Sequence, residues 1–510
     1  MCGIFFYMNR GEKKEQKENG DKCVHRGPDN TKSKEIISDN NYYYFMFHRL
    51  SINGLDDKSN QPMEINNKIL ICNGEIYNYK ELAIEYNIEL TTNSDCEIII
   101  HLYDKLSEDE LLNRLDGVFS FVMYDSINKK IIIGHDPYGI RSLYWFNNEN
   151  EIGISSEMKC LYDIDKNINF YQPGSYTVYD IIENDLSTIK YYDMIYPPMV
   201  EPEDKIIKDI KDKLTKAVNK RIICDRPIGC LLSGGVDSSI ITSIVNKKIQ
   251  NVRTFSIGMN GSPDIYNAEI VSKYLNTDHT IVLVNHEEML EAIERTIKQI
   301  ESYDITTIRA SVPMLLVSEY IRDHTDIRVL LSGEGADEAS GSYLYFHNAP
   351  NPESFQTECI RLLNDVHMFD VLRGDKTTAG AGLEIRVPFF DKEFMEYYMS
   401  IDPALKMPRD GMEKYLLRKA FNKELPDDIL WRRKDGFSDG VSSYEKPWYD
   451  IIDEYARKTY NMNESEMYKM IYDKYYKDVY NIPYMWMPKW STSKDPSNRL
   501  IKDKTNKRLL

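Results

Sequence analysis

The chain has 510 residues and is acidic, with 64 lysines and arginines against 81 aspartates and glutamates and a formal net charge of −17. This balance argues against nucleic acid or an anionic membrane surface as the main partner, and no apolar run is long enough to cross a bilayer. The eight cysteines are scattered without metal-ligand spacing, which indicates reduced thiols. We therefore expect a cytoplasmic protein of several domains with no membrane segment.

The first chemical signal is Cys2. If Met1 is removed, this residue carries a free α-amino group beside its thiol, so that nucleophile and base lie in one residue. A cysteine at position 2 can also occur by chance, and Cys2 alone favours that interpretation.

Four polar clusters follow, separated by apolar runs typical of strands. They are His25–Asp29, His48–Ile52, Asn73–Asn78 and Ser94–Glu97. Arg49 can bind an α-carboxylate with two hydrogen bonds, and Glu75 and Asp95 can hold an α-ammonium group. Asn73 and the N–H of Gly74 can form an oxyanion hole. A substrate that carries an α-carboxylate, an α-ammonium group and an amide to be cleaved is glutamine. A structural Arg–Asp ion pair and a plain Asn-Gly turn are the alternatives.

With Cys2, these clusters resemble the class II glutamine amidotransferase domain over roughly residues 2–190. The resemblance includes Leu115–Phe121, Asp136–Arg141 and Ser155–Glu157. It implies an αββα sandwich of the N-terminal-nucleophile type, in which residues 119–124 and 130–134 form paired strands. It also implies that Cys2 is the nucleophile and that Asn73 and Gly74 are catalytic. The glutamine-binding residues that it implies are Arg49, Leu50, Ile52, Asn73, Gly74, Glu75 and Asp95.

A proline-rich stretch around residues 196–203 predicts a linker. We therefore predict a glutaminase domain at 2–192, a linker at 193–204 and a second domain at 205–510. In that second domain, strand-like and helical patterns alternate, which predicts an α/β fold with a parallel sheet and added helices. The predicted strands are 228–232, 252–257, 280–284 and 328–331, and the predicted helices are 206–221, 268–275, 287–301 and 311–322.

The strongest motif in the second domain is the run Ser233–Ser239, which follows the first predicted strand. Two glycines, three serines and a helix N-terminus are suited to bind phosphate. The run has no Gly-Lys-Ser/Thr ending, so it is not a Walker loop. Asp237 suits a phosphate site only if Mg²⁺ lies between them. Ser-Gly-Gly alone would indicate a helix cap, but the full run resembles the pyrophosphate loop of the ATP-pyrophosphatase superfamily.

A second polar loop, Ser332–Glu338, follows another predicted strand. Parallel strands place both loops at the same edge of the sheet, where Asp337 can share Mg²⁺ with Asp237. Glu334 is then a candidate acid, base or orienting group. The alternative is a solvated acidic turn.

Two basic residues are further candidates. Arg309 stands among hydroxyl residues just before a predicted helix and can take the carboxylate of a second substrate. Lys434, beside a glycine turn, can reach the leaving pyrophosphate. The alternative for Arg309 is a structural residue at a helix N-terminus, and the alternative for Lys434 is a basic surface turn.

From Cys2 to about residue 440, the chain resembles the family of glutamine-hydrolysing asparagine synthetases. Residues 300–311, 332–347, 382–391 and 432–441 carry much of this resemblance. The ATP-binding residues that this resemblance implies are Leu231, Ser233, Gly234, Gly235, Asp237, Ser238, Ser239, Ile257, Ser332, Gly333 and Lys434. It also implies Thr306 and Arg309 for aspartate, Glu334 for the aspartyl-adenylate, and Asp237 and Asp337 for Mg²⁺. Ala336 departs from the serine usual in the family.

The implied enzyme is a ligase that uses ATP, L-aspartate and L-glutamine, with Mg²⁺ as cofactor and a homodimer as a possible assembly. A related amide-forming synthetase acting on another carboxylate is the alternative, although Thr306, Arg309 and Glu334 favour aspartate. A glutaminase joined to a phosphoribosyl-transfer domain would need a phosphoribosyl-pyrophosphate loop, and the sequence contains none that we recognise. A catalytically inactive homologue would be expected to lose Cys2 or Asp237, and both are present.

Overall fold

The computed structural model describes residues 1–38, 40–432, 436, 440–443, 445–479, 485–491 and 495–496. Within this part of the chain, the amino-terminal half forms two antiparallel sheets flanked by short helices. Its strands are β1 (Gly3–Arg10), β2 (Asn30–Ser38), β3 (Asn41–Arg49), β4 (Met63–Ile65), β5 (Lys68–Ile76), β6 (Gly117–Asp125), β7 (Lys130–His135), β8 (Tyr144–Asn147), β9 (Glu151–Ser155), β10 (Asn169–Phe170), β11 (Ser175–Asp180) and β12 (Asp185–Lys190). Its helices are α1 (Lys17–Asp21), α2 (Tyr79–Glu85), α3 (Glu97–Tyr103) and α4 (Glu108–Arg114).

The two sheets face each other across an apolar core. Their strand orders are β10-β8-β9-β1-β3-β2 and β12-β11-β7-β6-β5-β4, and β6 pairs with β7 as the sequence predicted. Ile4 and Phe6 of β1 lie in the same core cluster as Ile69 and Ile71 of β5. Because side chains alternate along a strand, the next residue of β1, Phe5, lies in a different cluster, which also contains residues of the carboxyl-terminal half. This arrangement confirms the αββα sandwich and joins its first sheet to the rest of the molecule.

The carboxyl-terminal half is built on a parallel sheet. Its strands are β13 (Ile228–Leu231), β14 (Arg253–Gly258), β15 (Asp278–Leu283), β16 (Val329–Leu331) and β17 (Glu384–Arg386). Its helices, within the described residues, are α5 (Glu203–Arg221), α6 (Val236–Asn246), α7 (Pro263–Leu275), α8 (His286–Ile300), α9 (Ile305–His324), α10 (Ala336–Ser340), α11 (Pro352–Asp365), α12 (Asp370–Gly380), α13 (Lys392–Met399), α14 (Pro403–Lys406), α15 (Tyr415–Ala420), α16 (Asp427–Leu430), α17 (Trp448–Tyr455) and α18 (Glu464–Tyr476).

The order of this sheet determines where its ligands can bind. The order is β15-β14-β13-β16-β17, with every neighbouring pair parallel. The chain runs outward from β13 to β15 and then returns to β16 on the other side of β13. Such a reversal of strand order opens a crevice at the carboxyl ends of the two central strands. The loops after β13 and β16 are the two loops that the sequence predicted at this edge.

Two predicted helix starts are wrong: α7 begins at Pro263 instead of residue 268, and the start of α9 changes the position of Arg309. Helix α9 begins at Ile305 instead of residue 311, because the Asp304 side chain caps it by accepting a hydrogen bond from the N–H of Thr307. Arg309 therefore lies inside the helix instead of before it.

Helix α5 begins at Glu203 and so enters the predicted linker, while the domain limits 192 and 205 remain a prediction. In the part of the chain that the structure describes, no helix combines the length and the apolar character needed to cross a membrane.

Candidate active sites

Cys2 lies directly before β1 and is held through its backbone. Its N–H donates a hydrogen bond to Asn73 Oδ1 at 2.9 Å, and its Sγ lies 3.6 Å from the carbonyl oxygen of Leu50. Burial raises the pKa of the Cys2 thiol to about 11, so the thiol needs a base to become a nucleophile. Met1 precedes Cys2 here, and the nitrogen of Cys2 is therefore an amide, which cannot serve as that base.

Asn73 provides a donor for a developing negative charge. Its side-chain nitrogen Nδ2 is buried and has no hydrogen-bond partner among the described residues. The neighbouring Gly74 lies in β5, where an added Cβ would come within 2.6 Å of the carbonyl oxygen of Val118. Glycine is therefore required at this position, and the two residues fit the predicted oxyanion hole.

The predicted carboxylate ligand Arg49 is already bonded within the protein. Its guanidinium donates to Asn60 Oδ1 and to the carbonyl oxygen of Asp56, both at 2.8 Å, and to the carbonyl oxygens of Asn53 and Gly54. A substrate carboxylate would have to replace at least one of these acceptors, so the predicted function of Arg49 stays a prediction. The predicted glutamine-binding residues Leu50 and Ile52 are buried in the same segment.

The two predicted ammonium ligands are buried carboxyl groups. Glu75 Oε2 accepts a hydrogen bond from Asn53 Nδ2 at 2.5 Å, and Asp95 Oδ2 accepts one from the N–H of Ile76 at 2.6 Å. Burial raises the pKa of both groups, that of Asp95 to about 6. A bound ammonium group would favour their charged forms, so these residues suit such a ligand.

Glu75 also connects the two halves of the molecule. It forms an ion pair at 3.2 Å with Arg386, which lies in β17 of the parallel sheet, and Arg386 in turn bonds Glu384 at 2.8 Å. Nearby, Asp225 donates its backbone N–H to the carbonyl oxygen of Ile52. The predicted glutamine-binding residues Glu75 and Ile52 therefore lie at the interface with the second domain.

The second site is a cavity of about 330 Å³ at the carboxyl edge of the parallel sheet. It is lined by most of the residues that the sequence predicted there, from both loops and from α9. These are Leu231, Ser233, Gly235, Asp237, Ser238, Ile257, Thr306, Ser332, Gly333, Glu334 and Asp337. Most of the predicted nucleotide-binding residues thus share one cavity with Thr306 and Glu334.

The loop after β13 has the geometry of an anion site. Gly234 has a φ of +68°, and an added Cβ there would lie 2.4 Å from the carbonyl carbon of Asn267. Gly235 precedes α6, and its N–H donates to Ser233 Oγ at 3.3 Å. The partial positive charge of the α6 N-terminus therefore faces the cavity among serine hydroxyls. Ser239, also predicted here, is buried in the first turn of α6.

The two predicted metal ligands converge on one cation. Lys414 Nζ lies 2.5 Å from Asp237 Oδ2 and 2.5 Å from Asp337 Oδ1. Burial opposes the charge of Lys414, but the two carboxylates outweigh it and raise the pKa of the ammonium group. Because two carboxylates already surround one positive charge, their arrangement fits Mg²⁺, which proteins usually hold through one or two carboxylates and substrate phosphates. Among the described residues, no group of three or more His, Cys, Asp or Glu side chains forms a self-sufficient metal site.

The sequence analysis missed Lys414. The residue lies 177 positions after Asp237 and adopts a left-handed conformation with a φ of +58°. No local motif marks such a residue, because only the fold brings it to the two loops.

Arg373 and Glu338 are two further residues of the cavity that the sequence analysis missed. Arg373 forms ion pairs at 2.6 Å with both Glu334 and Asp370. Burial raises the pKa of Glu334 to about 7 against the opposing effect of Arg373, and burial raises the pKa of Glu338 to about 8. Perturbed carboxyl groups beside a cation are typical of a functional site. Glu338 is the last residue of the polar loop Ser332–Glu338, and its place in that loop was the sequence signal that could have identified it.

Of the two residues predicted to bind the substrate aspartate, Thr306 faces the cavity and Arg309 does not. Thr306 lines it and donates its hydroxyl to Asp304 Oδ2 at 2.7 Å. The Arg309 guanidinium instead bonds Glu464 Oε1 at 2.8 Å and Asp495 Oδ2 at 3.0 Å. Direct contact with a substrate carboxylate would require Arg309 to exchange one of these partners. Lys434, predicted to contact pyrophosphate, lies outside the described residues.

Comparisons with known proteins match both halves of the chain. A family described as glutamine amidotransferase domain matches residues 1–200, and a family described as asparagine synthase matches residues 209–355 and 348–495. The curated asparagine synthetase [glutamine-hydrolyzing] of Mus musculus is 38% identical over 533 residues, which cover 94% of each chain. The protein of that name from Gallus gallus is 37% identical over 556 residues, covering 98% of this chain and 99% of its own.

A solved structure, the glutamine phosphoribosylpyrophosphate amidotransferase from B. subtilis, is 16% identical. It covers 50% of this chain and 66% of its own, with a TM-score of 0.31, which is too low to support a structural argument.

Proposed function

The chain belongs to the family of glutamine-hydrolysing asparagine synthetases, and we propose that its two sites divide the reaction between them. The first site hydrolyses glutamine to glutamate and ammonia. The second converts aspartate and ATP to β-aspartyl-AMP and pyrophosphate, and ammonia then displaces AMP to form asparagine. The observation that carries this assignment is the presence of both sites in one chain, with Arg386 of the second domain bonded to Glu75 of the first.

In the first site, Cys2 is the nucleophile once Met1 has been removed. The free α-amino group takes the thiol proton, and the sulfur attacks the side-chain amide carbon of glutamine. Asn73 Nδ2 and the N–H of Gly74 stabilise the oxyanion. The α-ammonium group of Cys2 returns its proton to the leaving nitrogen as the C–N bond breaks, which releases ammonia and leaves a thioester. Water hydrolyses that thioester. Arg49, Glu75 and Asp95 hold the α-carboxylate and α-ammonium groups of glutamine, beside Leu50 and Ile52.

In the second site, the loop after β13 holds the pyrophosphate part of ATP. The serines and backbone N–H groups of Ser233–Ser239 bind its oxygens, while Leu231, Ile257, Ser332 and Gly333 contact the nucleotide. Asp237 and Asp337 hold Mg²⁺, which when bound offsets the negative charge of the phosphates. The Lys414 ammonium group would then move from these carboxylates to phosphate oxygens, and Lys434 is proposed to add a second positive charge.

The acceptor side of the cavity binds aspartate and receives ammonia. An oxygen of the aspartate β-carboxylate attacks the α-phosphorus of ATP, and pyrophosphate leaves. When ammonia attacks the resulting acyl carbon, its nitrogen becomes positively charged and must lose a proton. Glu334, with a pKa of about 7, suits that function near neutral pH. Thr306 contacts aspartate, and Arg309 contributes either directly or by holding Glu464 and Asp495 in place.

Glutamine-dependent and ammonia-dependent synthesis separate the two sites. Cys2→Ala should abolish asparagine formation from glutamine, because the nucleophile is lost, and should preserve it from ammonium chloride. Product analysis with aspartate and with other carboxylates tests the acceptor and the alternative of a related synthetase. Glutamine-dependent synthesis by a folded Cys2→Ala protein would refute the nucleophile, and equal use of another carboxylate would refute the acceptor.

Location and assembly complete the proposal. All eight cysteines are free thiols in the structure, which fits a reducing compartment, and we place the enzyme in the cytoplasm. A homodimer is the proposed assembly, and sedimentation of the purified protein tests it.

A further inference from the structure

The guanidinium of Arg26 is bonded in three directions at the interface between the domains. Nε donates to the carbonyl oxygen of Cys2 at 2.9 Å, Nη1 donates to Glu157 Oε1 at 2.8 Å, and Nη2 donates to Asp375 Oδ2 at 2.8 Å. Arg26, Glu157 and Asp375 are completely buried. Without solvent to replace a lost partner, these bonds determine where the guanidinium lies.

Asp375 belongs to the other domain. It lies in α12, and the same oxygen that accepts from Arg26 also accepts from the Ser142 hydroxyl at 2.8 Å. Helix α12 also carries Arg373, which lines the ATP cavity. A helix of the synthetase domain thus supplies one of the two anions that hold Arg26.

The other anion, Glu157, is shared with two further cations, Lys159 at 3.1 Å and Lys376 at 3.8 Å. The His25 ring, whose pKa burial lowers, lies 3.6 Å from Glu157. Asp375, by contrast, makes its short ion pair with Arg26, and its next cation, Arg141, is 3.7 Å away. Asp375 is therefore the more specific partner of Arg26.

The position of Arg26 affects the nucleophile through the backbone. The N–H of Cys2 is held by Asn73, and its carbonyl oxygen is held by Arg26. These two bonds set the orientation of the residue that carries the reactive sulfur. Displacing a reacting group by about 1 Å can lower a rate about 100-fold, so a small movement of the guanidinium matters.

We propose that Asp375 of the synthetase domain is a positioning residue for glutamine hydrolysis, acting through Arg26 on the backbone of Cys2. This inference rests on the proposed function of Cys2. It means that the glutaminase site is complete only when α12 is docked against it. The substrate itself is bound by other residues, so the loss of Asp375 should affect kcat more than the KM for glutamine.

Asp375→Asn in the full-length enzyme tests this proposal, because it removes the charge and keeps the size. We expect kcat for glutamine hydrolysis to fall about 10-fold or more, with the KM for glutamine within about twofold and ammonium-dependent synthesis unchanged. The control is Asp116→Asn, which removes a different interdomain ion pair, to Lys220 at 2.6 Å. That variant should hydrolyse glutamine at the rate of the unmodified enzyme.

A double-mutant cycle tests the route through Arg26. If Asp375 acts through Arg26, Asp375→Asn should lower kcat much less in an Arg26→Lys background than in the unmodified enzyme. Equal effects in the two backgrounds would overturn the route.

An unchanged kcat in Asp375→Asn, a change in KM alone, equal losses in Asp116→Asn, or loss of ammonium-dependent synthesis as well would each overturn the proposal. Glutamine hydrolysis by Cys2→Ala would instead refute the function on which it rests.

Discussion

Lys414 neutralises the two carboxylates that are proposed to bind Mg²⁺, and replacing it with methionine separates its two effects. Methionine has a similar length and no charge, and it is no more constrained than lysine at the φ of +58° found here. Lys414→Met removes the positive charge that lies 2.5 Å from both Asp237 and Asp337. The variant should therefore be less stable than the unmodified protein and should bind Mg²⁺ more readily in the absence of ATP.

The expected loss of stability in Lys414→Met follows from the burial of Lys414 and its distances to the two carboxylates. Lys414 is 3% exposed and lies 2.5 Å from each carboxylate. Two charge-assisted hydrogen bonds contribute about 1.5–3 kcal/mol each. The side chains of Asp237 and Asp337 are 20% and 26% exposed, so water recovers part of this loss. We expect a net loss of about 3 kcal/mol, within the range for a broken buried ion pair. For a unit of this size, that loss corresponds to a fall in Tm of about 3–5 °C.

Thermal unfolding with and without MgCl₂, at constant ionic strength and without nucleotide, measures both effects. Mg²⁺ at ten times its Kd should return about 1.4 kcal/mol to Lys414→Met and much less to the unmodified protein, where the ammonium group competes. Adding Asp337→Asn should remove this response. The control is Lys248→Met, which replaces an exposed lysine after α6 and should change neither value. An unchanged Tm, or an equal response to Mg²⁺ in Lys414→Met and the unmodified protein, would refute the reasoning.

Two further predictions concern the same cavity. The pKa of Glu338, about 8 against an ordinary 4.5, means that the folded protein retains a proton there that the unfolded chain releases. Stability is therefore lost as pH rises from about 4.5 to 8, by at most about 1.4 kcal/mol per pH unit. The Tm of Glu338→Gln relative to the unmodified protein should rise across this window, and a constant difference would contradict the shift. Arg309→Lys should raise the KM for aspartate about 10-fold and spare glutamine hydrolysis, since lysine cannot keep the forked geometry. If Arg309 acts by holding Asp495 in place, Asp495→Asn should raise the KM for aspartate too. An unchanged KM for aspartate in Arg309→Lys would show that Arg309 does not belong to the acceptor site.

Much of the fold could be predicted because its signals are local. The apolar run that forms β13, the glycines after it and the helical spacing from Val236 to Asn246 lie within about 20 residues of one another. The same holds for the alternating strands and helices up to β16, which predicted a parallel sheet with both loops at one edge. Local propensity and periodicity determine such elements before any long-range contact forms.

The start of α9 shows where local signals were insufficient. The predicted helix began at residue 311, after the hydroxyl residues around Arg309, but Asp304 caps the helix and Arg309 falls inside it. The direction of the Arg309 side chain depends on Glu464 and Asp495, which lie 155 and 186 residues later in the chain. No pattern near Arg309 contains that information.

The sequence by itself determined which groups are proposed to react: Cys2, the Ser233–Ser239 loop and the carboxylates Asp237 and Asp337 stand in motifs whose chemistry is local. Their partners came only from the folded chain, in which Lys414 bridges two loops, Arg386 reaches Glu75 and Asp375 holds Arg26. These contacts join residues that are 77 to more than 300 positions apart. The reason is physical, because a buried charge must find an opposite charge wherever the packing of sheets and helices brings one near.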